Sequence, residues 1–496
     1  MNTLLLRPTD VLFFRDGRPM TGSLAGHGAA WPLPSVINAA FRTALRRANL
    51  AGVHPHAHKR GRQPIDKTAR HFGSLLTAGP FPVKVGDEDR PETWRWFFPR
   101  PADAQKAGRT DITLRPVPLA ESDENQRLCS LPVPLNYMVA STCTPTKDRP
   151  EPWWSKQAFS AYLDDDPGRI SGAGHLLKDC ELSVTEHEVG IGIDEVTGAQ
   201  DGERIYSAHY LRMREEWRLG VVADCLDKGE NGQDKLTDLI SELFRGGSGH
   251  IVVGGQQRLC TARLHEWGAK QIPLPLGKQD SFPSLDHEGS KRWLLKWVLL
   301  TPAIWPEIVA GEILKKNDRG EESGRTMVEK HTGGWLPNWV AEQTTALEGE
   351  SIEAGDVLLR AGPGVEKSRR KGGQPGARIK ARLVAAIVPK PIVVTGYALS
   401  NEDLAENDRP GAKPTHLAVP AGAVYYFEAE TAVGPDPALH AKNLAATLNW
   451  HGAVPPQQPA NAIKNRRSTI MGEKGFGLGV CAGWTPFPIT LSTPTN

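Results

Sequence analysis

Apolar residues recur along this chain with two distinct periods. From Ser35 to Arg47, the residues Val36, Ile37, Ala40, Phe41, Ala44 and Leu45 fall at helical spacing; Ser35 stands as N-cap, and Arg42 and Arg46 share the outer face. From Asp234 to Arg245, Leu236, Leu239, Ile240, Leu243 and Phe244 predict a second amphipathic helix. Strand patterns cover Leu4 to Leu6, Val11 to Phe14, Arg204 to Cys225 and Ile251 to Val253, and Cys260, Ala262 and Leu264 alternate with polar residues. Strands are predicted again at Arg292 to Leu300, Ala381 to Val394 and Leu417 to Phe427, then a helix from Asp436 to Leu448 and a last strand. Each half therefore reads as β, α, β, β, α, glycine loop, β. The predicted fold is α+β: two ferredoxin-like (RRM-like) domains with large insertions, each with a glycine-rich loop before its last strand. Residues 1–285 form the first and residues 286–496 the second.

The glycine loops carry the first chemical signal. Gly472 to Gly479 reads GEKGFGLG, next to Lys464, Arg466 and Arg467, and Gly254-Gly255 marks the corresponding bend of the first half. Such a loop admits another backbone closely, and its N–H groups can line a hollow for anions. No Lys-Ser or Lys-Thr follows the glycines and no helix opens after them, so the reading is polyanion binding without ATP hydrolysis. The plainer reading is a tight connection where a helix packs close to a sheet.

Charge sharpens this only locally. The 496 residues hold 59 basic and 57 acidic side chains, a net +2, so affinity for nucleic acid has to come from a basic face. Residues 361 to 382 carry Lys367, Arg369, Arg370, Lys371, Arg378, Lys380 and Arg382 against Glu366, which suits either phosphate neutralisation or a solvated loop. Six cysteines without a C-x-x-C pair read as buried thiols of a cytoplasmic protein, and no export signal, membrane span, metal or cofactor is expected. His54, His56 and His58 read as a surface loop, and Asp164 to Asp166 before Pro167-Gly168 as a solvated turn. His27, between two glycines, is placed to act as general base in metal-free RNA cleavage.

Longer blocks carry a resemblance. RPTDVLFFRDGRPM at Arg7 to Met20 is followed by Trp31, Pro32 and Pro34; FFPRP at Phe97 to Pro101, GIGID at Gly190 to Asp194 and GGQQR at Gly254 to Arg258 come next. LLTPAIW at Leu299 to Trp305, GGWLP at Gly333 to Pro337 and VPAGAVYYF at Val419 to Phe427 complete the set. Together they resemble the third subunit of the Cmr complex, the type III-B CRISPR effector of the RAMP superfamily, and the resemblance spans nearly the whole chain.

The resemblance implies a subunit that is not an enzyme. It would bind the 5′ handle of the CRISPR RNA at the foot of a ribonucleoprotein. There it would contact the large palm-domain polymerase subunit and a neighbouring backbone RAMP subunit at the handle-proximal end of the effector filament. The matching elements are the loop Arg15 to Met20, the helix at Ser35 to Arg46, the Gly254-Gly255 bend and the Gly472 to Gly479 loop. Within and beside them, charge and geometry nominate Arg15, Arg18, Ser35, Arg42, Arg46, Gly254, Gly255, Arg258, Arg369, Arg370, Lys371, Arg466, Arg467, Lys474, Gly475, Phe476 and Gly477 as RNA-binding residues. Phe14, Phe476 and Tyr397 are the candidate base stackers. Two rivals stand beside this reading. One is a metal-independent RAMP-type endoribonuclease that processes guide RNA precursor through His27. The other is a scaffold subunit whose glycine loops only pack helices.

Overall fold

Backbone pairing assembles the described part of the chain around two mixed-length antiparallel sheets. The computed structural model describes residues 2–14, 25–26, 31–48, 50, 75–107, 110–119, 133–141, 144, 146, 149–166, 174–193, 197, 200–228, 236–266, 272–287, 289–316, 322–347, 349–362, 373–398, 411–454 and 463–487. In the first half the sheet is built on β1 (Asn2–Pro8), β2 (Leu75–Lys84), β3 (Arg95–Pro99), β4 (Trp153–Ser155), β7 (Trp217–Lys228), β8 (Ser248–Val252) and β9 (Leu259–Glu266). β5 (Ser183–Ile193) and β6 (Gln200–Met213) form a separate hairpin-like pair. Among the described residues the helices are α1 (Pro34–Arg47), α2 (Lys156–Leu163) and the short α3 (Leu239–Leu243), with a single α-helical turn at Asp179–Leu182.

Four of these strands lie in the order β2, β7, β1, β9, so the first strand sits between the third and the fourth. β1 pairs Leu5 with Gly220 on one side and with Arg263 on the other. Alternation along β1 sends Leu4 and Leu6 to a core with Ile37, Phe41 and Leu45 of α1, and Leu5 to the opposite face. α1 starts with Pro34 at its first turn, and Leu33 is the N-cap with no side-chain hydrogen bond. Ser35 is therefore inside the helix and is not its cap. The helix expected over Asp234 to Arg245 is shorter: Leu236–Asp238 is a strand paired with β7, and Asp238 caps α3 by accepting from the Ile240 N–H at 3.0 Å. Leu236 is thus held by the sheet, and only five residues remain helical.

The second half repeats the strand order, with one α-helix among the described residues. β10 (Ser290–Leu299), β11 (Ala381–Ile387), β12 (Val424–Glu430) and β13 (Gly479–Gly483) lie in the order β13, β10, β12, β11, with α4 (Leu439–Leu448) between the third and fourth strands. Between β10 and β11, where the first half has α1, the described residues contain no helix. Irregular chain bearing Trp305, Leu336, Val340 and Val357 covers that face instead, together with Leu444 and Leu448 of α4. The runs Ala381 to Val394 and Leu417 to Phe427 each divide into two strands, because the chain turns at the Pro389-Lys390-Pro391 and Pro420 positions, where ladder donors are missing or reoriented.

The inner faces of the two sheets share one core, in which Leu5, Phe81, Val83 and Phe98 meet Leu294, Val298, Tyr426 and Trp484. Of the cysteines, Cys225, Cys260 and Cys481 are buried as expected, whereas Cys180 is exposed. Among the described residues, no helix is long and apolar enough to cross a membrane.

Candidate nucleic-acid interface

The glycine-rich segment of the second half crosses onto the first half. Met471 and Gly475 adopt left-handed backbone and bracket a single helical turn at Gly472–Lys474. This turn lies between α1 and β2: a Cβ on Gly475 would stand 2.6 Å from the Thr77 carbonyl oxygen and 3.4 Å from Pro34. Asn38 on α1 donates to the Glu473 carbonyl at 3.5 Å and to the Thr77 hydroxyl at 3.2 Å, fixing the crossing. Gly477, at φ +75°, has the Ser468 backbone nitrogen only 2.1 Å from where a Cβ would be. Glycine is required here because backbone meets backbone.

Cations from both halves converge on this seam. Burial lowers the Arg42 guanidinium below its ordinary value; Glu473 opposes the effect and Arg46 adds to it. Burial likewise lowers Arg466, with Glu473 and Asp224 opposing. Glu473 therefore attracts an arginine from α1 and another from the strand-like approach to the loop. Asp224 of β7 is buried, Lys474 and Arg466 are half-buried, and Arg46 is exposed. The Nε of Arg42 is buried without a hydrogen-bond acceptor among the described residues. Four cations against two carboxylates leave the seam positive, with Arg46 exposed and Arg42, Arg466 and Lys474 half-buried.

Several residues expected to touch ligand are committed elsewhere. The amide N–H groups of Lys474 and Phe476 donate to Met471 O, Gly475 donates to Gly472 O at 3.1 Å, and Gly477 donates to Pro302 O at 2.7 Å. The Leu478 N–H donates to the Thr301 hydroxyl at 3.0 Å. The expected hollow lined by the amides of Gly475, Phe476 and Gly477 is therefore closed by internal hydrogen bonds, and packing of a loop against helix and sheet describes these glycines. Phe476 is fully buried against Ile304, Val394 and Ala418, so no ring face is open for a base. Arg467 donates through Nε to Thr447 O at 2.6 Å near the end of α4, and burial brings its guanidinium down to about 10. It closes the C-terminus of a helix, where a cation is favoured.

The bend in the first half is a different construction. Gly254, Gly255, Gln256 and Gln257 are exposed in the β8–β9 turn, and both glutamines have positive φ. Gly255 donates to Phe13 O at 2.9 Å, and a Cβ on Gly254 would meet that same oxygen at 2.5 Å. Arg258 lies 5.1 Å from the centre of the Tyr210 ring and 3.5 Å from Asp10. Phe14 is buried beneath this turn and cannot stack on a base. The bend precedes β9 yet faces residues 11 to 14, so the two glycine segments form separate surfaces. Ser35 is half-exposed in the first turn of α1, beside the seam.

Arg15, Arg18, His27, His54, His56, His58, Arg369, Arg370 and Lys371 lie outside the described residues, as does the side chain of Tyr397. Asp164 and Asp165 end α2 in a turn and pair with Lys278 and Arg115 at 3.6 and 3.2 Å. No group of metal-ligating side chains is present among the described residues. Two further charges at the seam, Glu473 and Asp224, differ in how far the sequence signals them. Glu473 is visible inside the glycine segment as the acid next to Lys474, whereas Asp224 lies in an apolar strand and has no local signal.

A family model described as CRISPR-associated protein (Cas_Cmr3) matches residues 4–442. No curated protein sequence matches the chain. Among solved structures, a chain of the type III-B Cmr-beta complex bound to cognate target RNA aligns over 67% of this chain and 85% of its own, at 13% identity and a TM-score of 0.30. A chain of the Csm3-Csm4 subcomplex of the type III-A CRISPR-Cas interference complex aligns over 87% and 94%, at 9% identity and a TM-score of 0.31.

Proposed function

Because this chain belongs to the CRISPR-associated Cas_Cmr3 family, we propose that it is the third subunit of a type III-B effector, a non-enzymatic protein that holds the 5′ handle of the CRISPR RNA. In this reading the two sheets are two ferredoxin-like units dividing near residue 285. The chain docks on the large palm-domain polymerase subunit and on a neighbouring backbone RAMP subunit, at the handle-proximal end of the filament.

One observation supports the RNA-binding role most directly: the positive seam where Arg42 and Arg46 of α1 meet Arg466 and Lys474 of the crossing loop. Phosphate contacts by lysine and arginine supply most of the affinity for a nucleic-acid strand and position it. Arg46 and Lys474 take the outer contacts, Arg42 and Arg466 the inner ones, and Ser35 adds a hydroxyl at the helix start. Gly475, Phe476, Gly477 and Arg467 support the loop that carries Lys474. The Arg258 turn, together with Arg15 and Arg18, is a second contact region beyond the seam, and Arg369 to Lys371 a third.

The test is charge reversal. A reconstituted complex carrying Arg46→Glu and Lys474→Glu should bind handle-bearing guide RNA at least about tenfold more weakly at moderate salt, with a shallower dependence of affinity on salt. Wild-type affinity and slope would overturn the assignment. Incubating the purified chain with precursor RNA in EDTA probes the enzymatic alternative, since cleavage abolished by His27→Ala would replace this reading with an endoribonuclease.

A further inference from the structure

A separate cavity of about 590 Å³ opens on the face of the first sheet opposite α1. Its walls come from Thr3 of β1, the start of β3, the first turn of α2 and the chain at Ile272-Pro273, and it contains Trp94, Arg95, Trp96, Lys156, His175 and His265. Among the described residues, no aspartate or glutamate lines it. Elsewhere on the chain Arg218, Arg263, Arg378 and Arg382 each face a carboxylate.

Among the described residues, the two cations have no counter-ion. Lys156 is half-buried and donates to the Ile272 carbonyl. Burial alone lowers its ammonium, with no carboxylate opposing. Arg95 is exposed and makes no ion pair among the described residues; its Nη1 would lie 3.3 Å from a Cβ at Gly174. Taking an ammonium partly out of water is unfavourable unless a negative group accompanies it. Among the described residues no carboxylate supplies that partner, which leaves the place open to an anionic ligand.

Aromatic groups stand next to these charges. The Trp94 indole is fixed by donating to Asp87 O at 2.8 Å, and its ring meets the His265 ring edge-on at 4.4 Å. His175 is held with Nδ1 2.9 Å from the Ser155 hydroxyl oxygen. Arg263 alongside is already engaged by Glu88 and Asp89, which keeps those carboxylates occupied outside the cavity. A ligand with a negative group and a flat ring satisfies both sets of walls, and the volume lies within the range of small-molecule sites.

We propose that this cavity binds one nucleotide unit, its phosphate on Lys156 and Arg95 and its base against Trp94. The same chemistry is offered by a free nucleoside monophosphate and by a nucleotide within an RNA strand. The site is independent of the loop seam and does not require the handle to lie there.

Calorimetric titrations on the full chain carrying Arg46→Glu and Lys474→Glu, which silences the seam, separate the two sites. AMP should bind, and adenosine and inorganic phosphate should each bind at least about tenfold more weakly, one charge-assisted contact being worth that factor. Arg95→Ala, a surface change with little bearing on folding, and Lys156→Gln should each weaken AMP by a similar factor. A pentaribonucleotide that binds more tightly than AMP and loses affinity in the same variants identifies a strand as the occupant, while tighter binding of AMP identifies the free nucleotide. Absence of binding by both AMP and the pentaribonucleotide, or affinities unchanged in both variants, would overturn the proposal.

Discussion

The Lys296 ammonium stands 2.9 Å from the Asp103 carboxylate, with side chains only 5% and 0% exposed, at the core shared by the two sheets. Asp103 also accepts from the Tyr162 and Tyr426 hydroxyls at 2.7 and 2.9 Å, and the ammonium lies 4.0 Å from the centre of the Tyr162 ring. Residues from both halves thus close one buried charge cluster. Removing one partner leaves a buried charge without its counter-ion. Lys296→Met is expected to lower the unfolding free energy by about 3–5 kcal/mol in urea titration, and adding Asp103→Leu should recover part of that loss. Equal instability of the single and double variants would show that the pair is not coupled.

Backbone contact at the seam makes a second, graded prediction. Gly477 and Gly247 both have positive φ, at 75° and 81°, but only Gly477 is closely packed; nothing lies within 4 Å of a Cβ at Gly247. Gly247→Ala carries the conformational penalty alone, roughly 1–2 kcal/mol. Gly477→Ala adds a collision with Ser468 and should lower the melting temperature further. Equal losses would mean that the loop yields without strain.

His451 gives the chain a pH dependence of definite sign. Burial brings its imidazole from 6.5 down to about 4, against the opposing contacts of the Gly452 and Val454 backbone, while Nε2 accepts from the Gly277 N–H at 3.1 Å. The folded state therefore binds this proton less readily than the unfolded state. Its contribution is complete above pH 6.5 and is lost as pH falls toward 4, the loss reaching about 2 kcal/mol by pH 5. The stability difference between pH 7 and pH 5 should shrink by that amount in His451→Gln, as read from urea unfolding at both values.

Periodicity made the strands and α1 legible because each has one apolar face. The 290–299 run shows the limit of that signal: Lys296 interrupts it and reads as a break, yet it occupies an inward position between Leu294 and Val298, and only the distant Asp103 explains it. The pattern at Leu236 to Phe244 suited a helix equally well, and pairing with β7 decided its first turn. In the second half, residues 301–380 supply scattered tryptophans and valines without a period, so nothing local marks that the described residues there form no helix. At the seam the arginines were readable from charge and spacing. The direction of the glycine amides was not, since their acceptors at Pro302 and Thr301 are far away in sequence.

Photocrosslinking in the assembled particle tests the central claim most directly. With 4-thiouridine placed through the handle of the guide RNA, crosslinked peptides should come from residues 35–47 and 464–474 and should diminish when Arg46 and Lys474 are reversed in charge. Handle crosslinks confined to other subunits, or to parts of this chain away from α1 and the crossing loop, would contradict it.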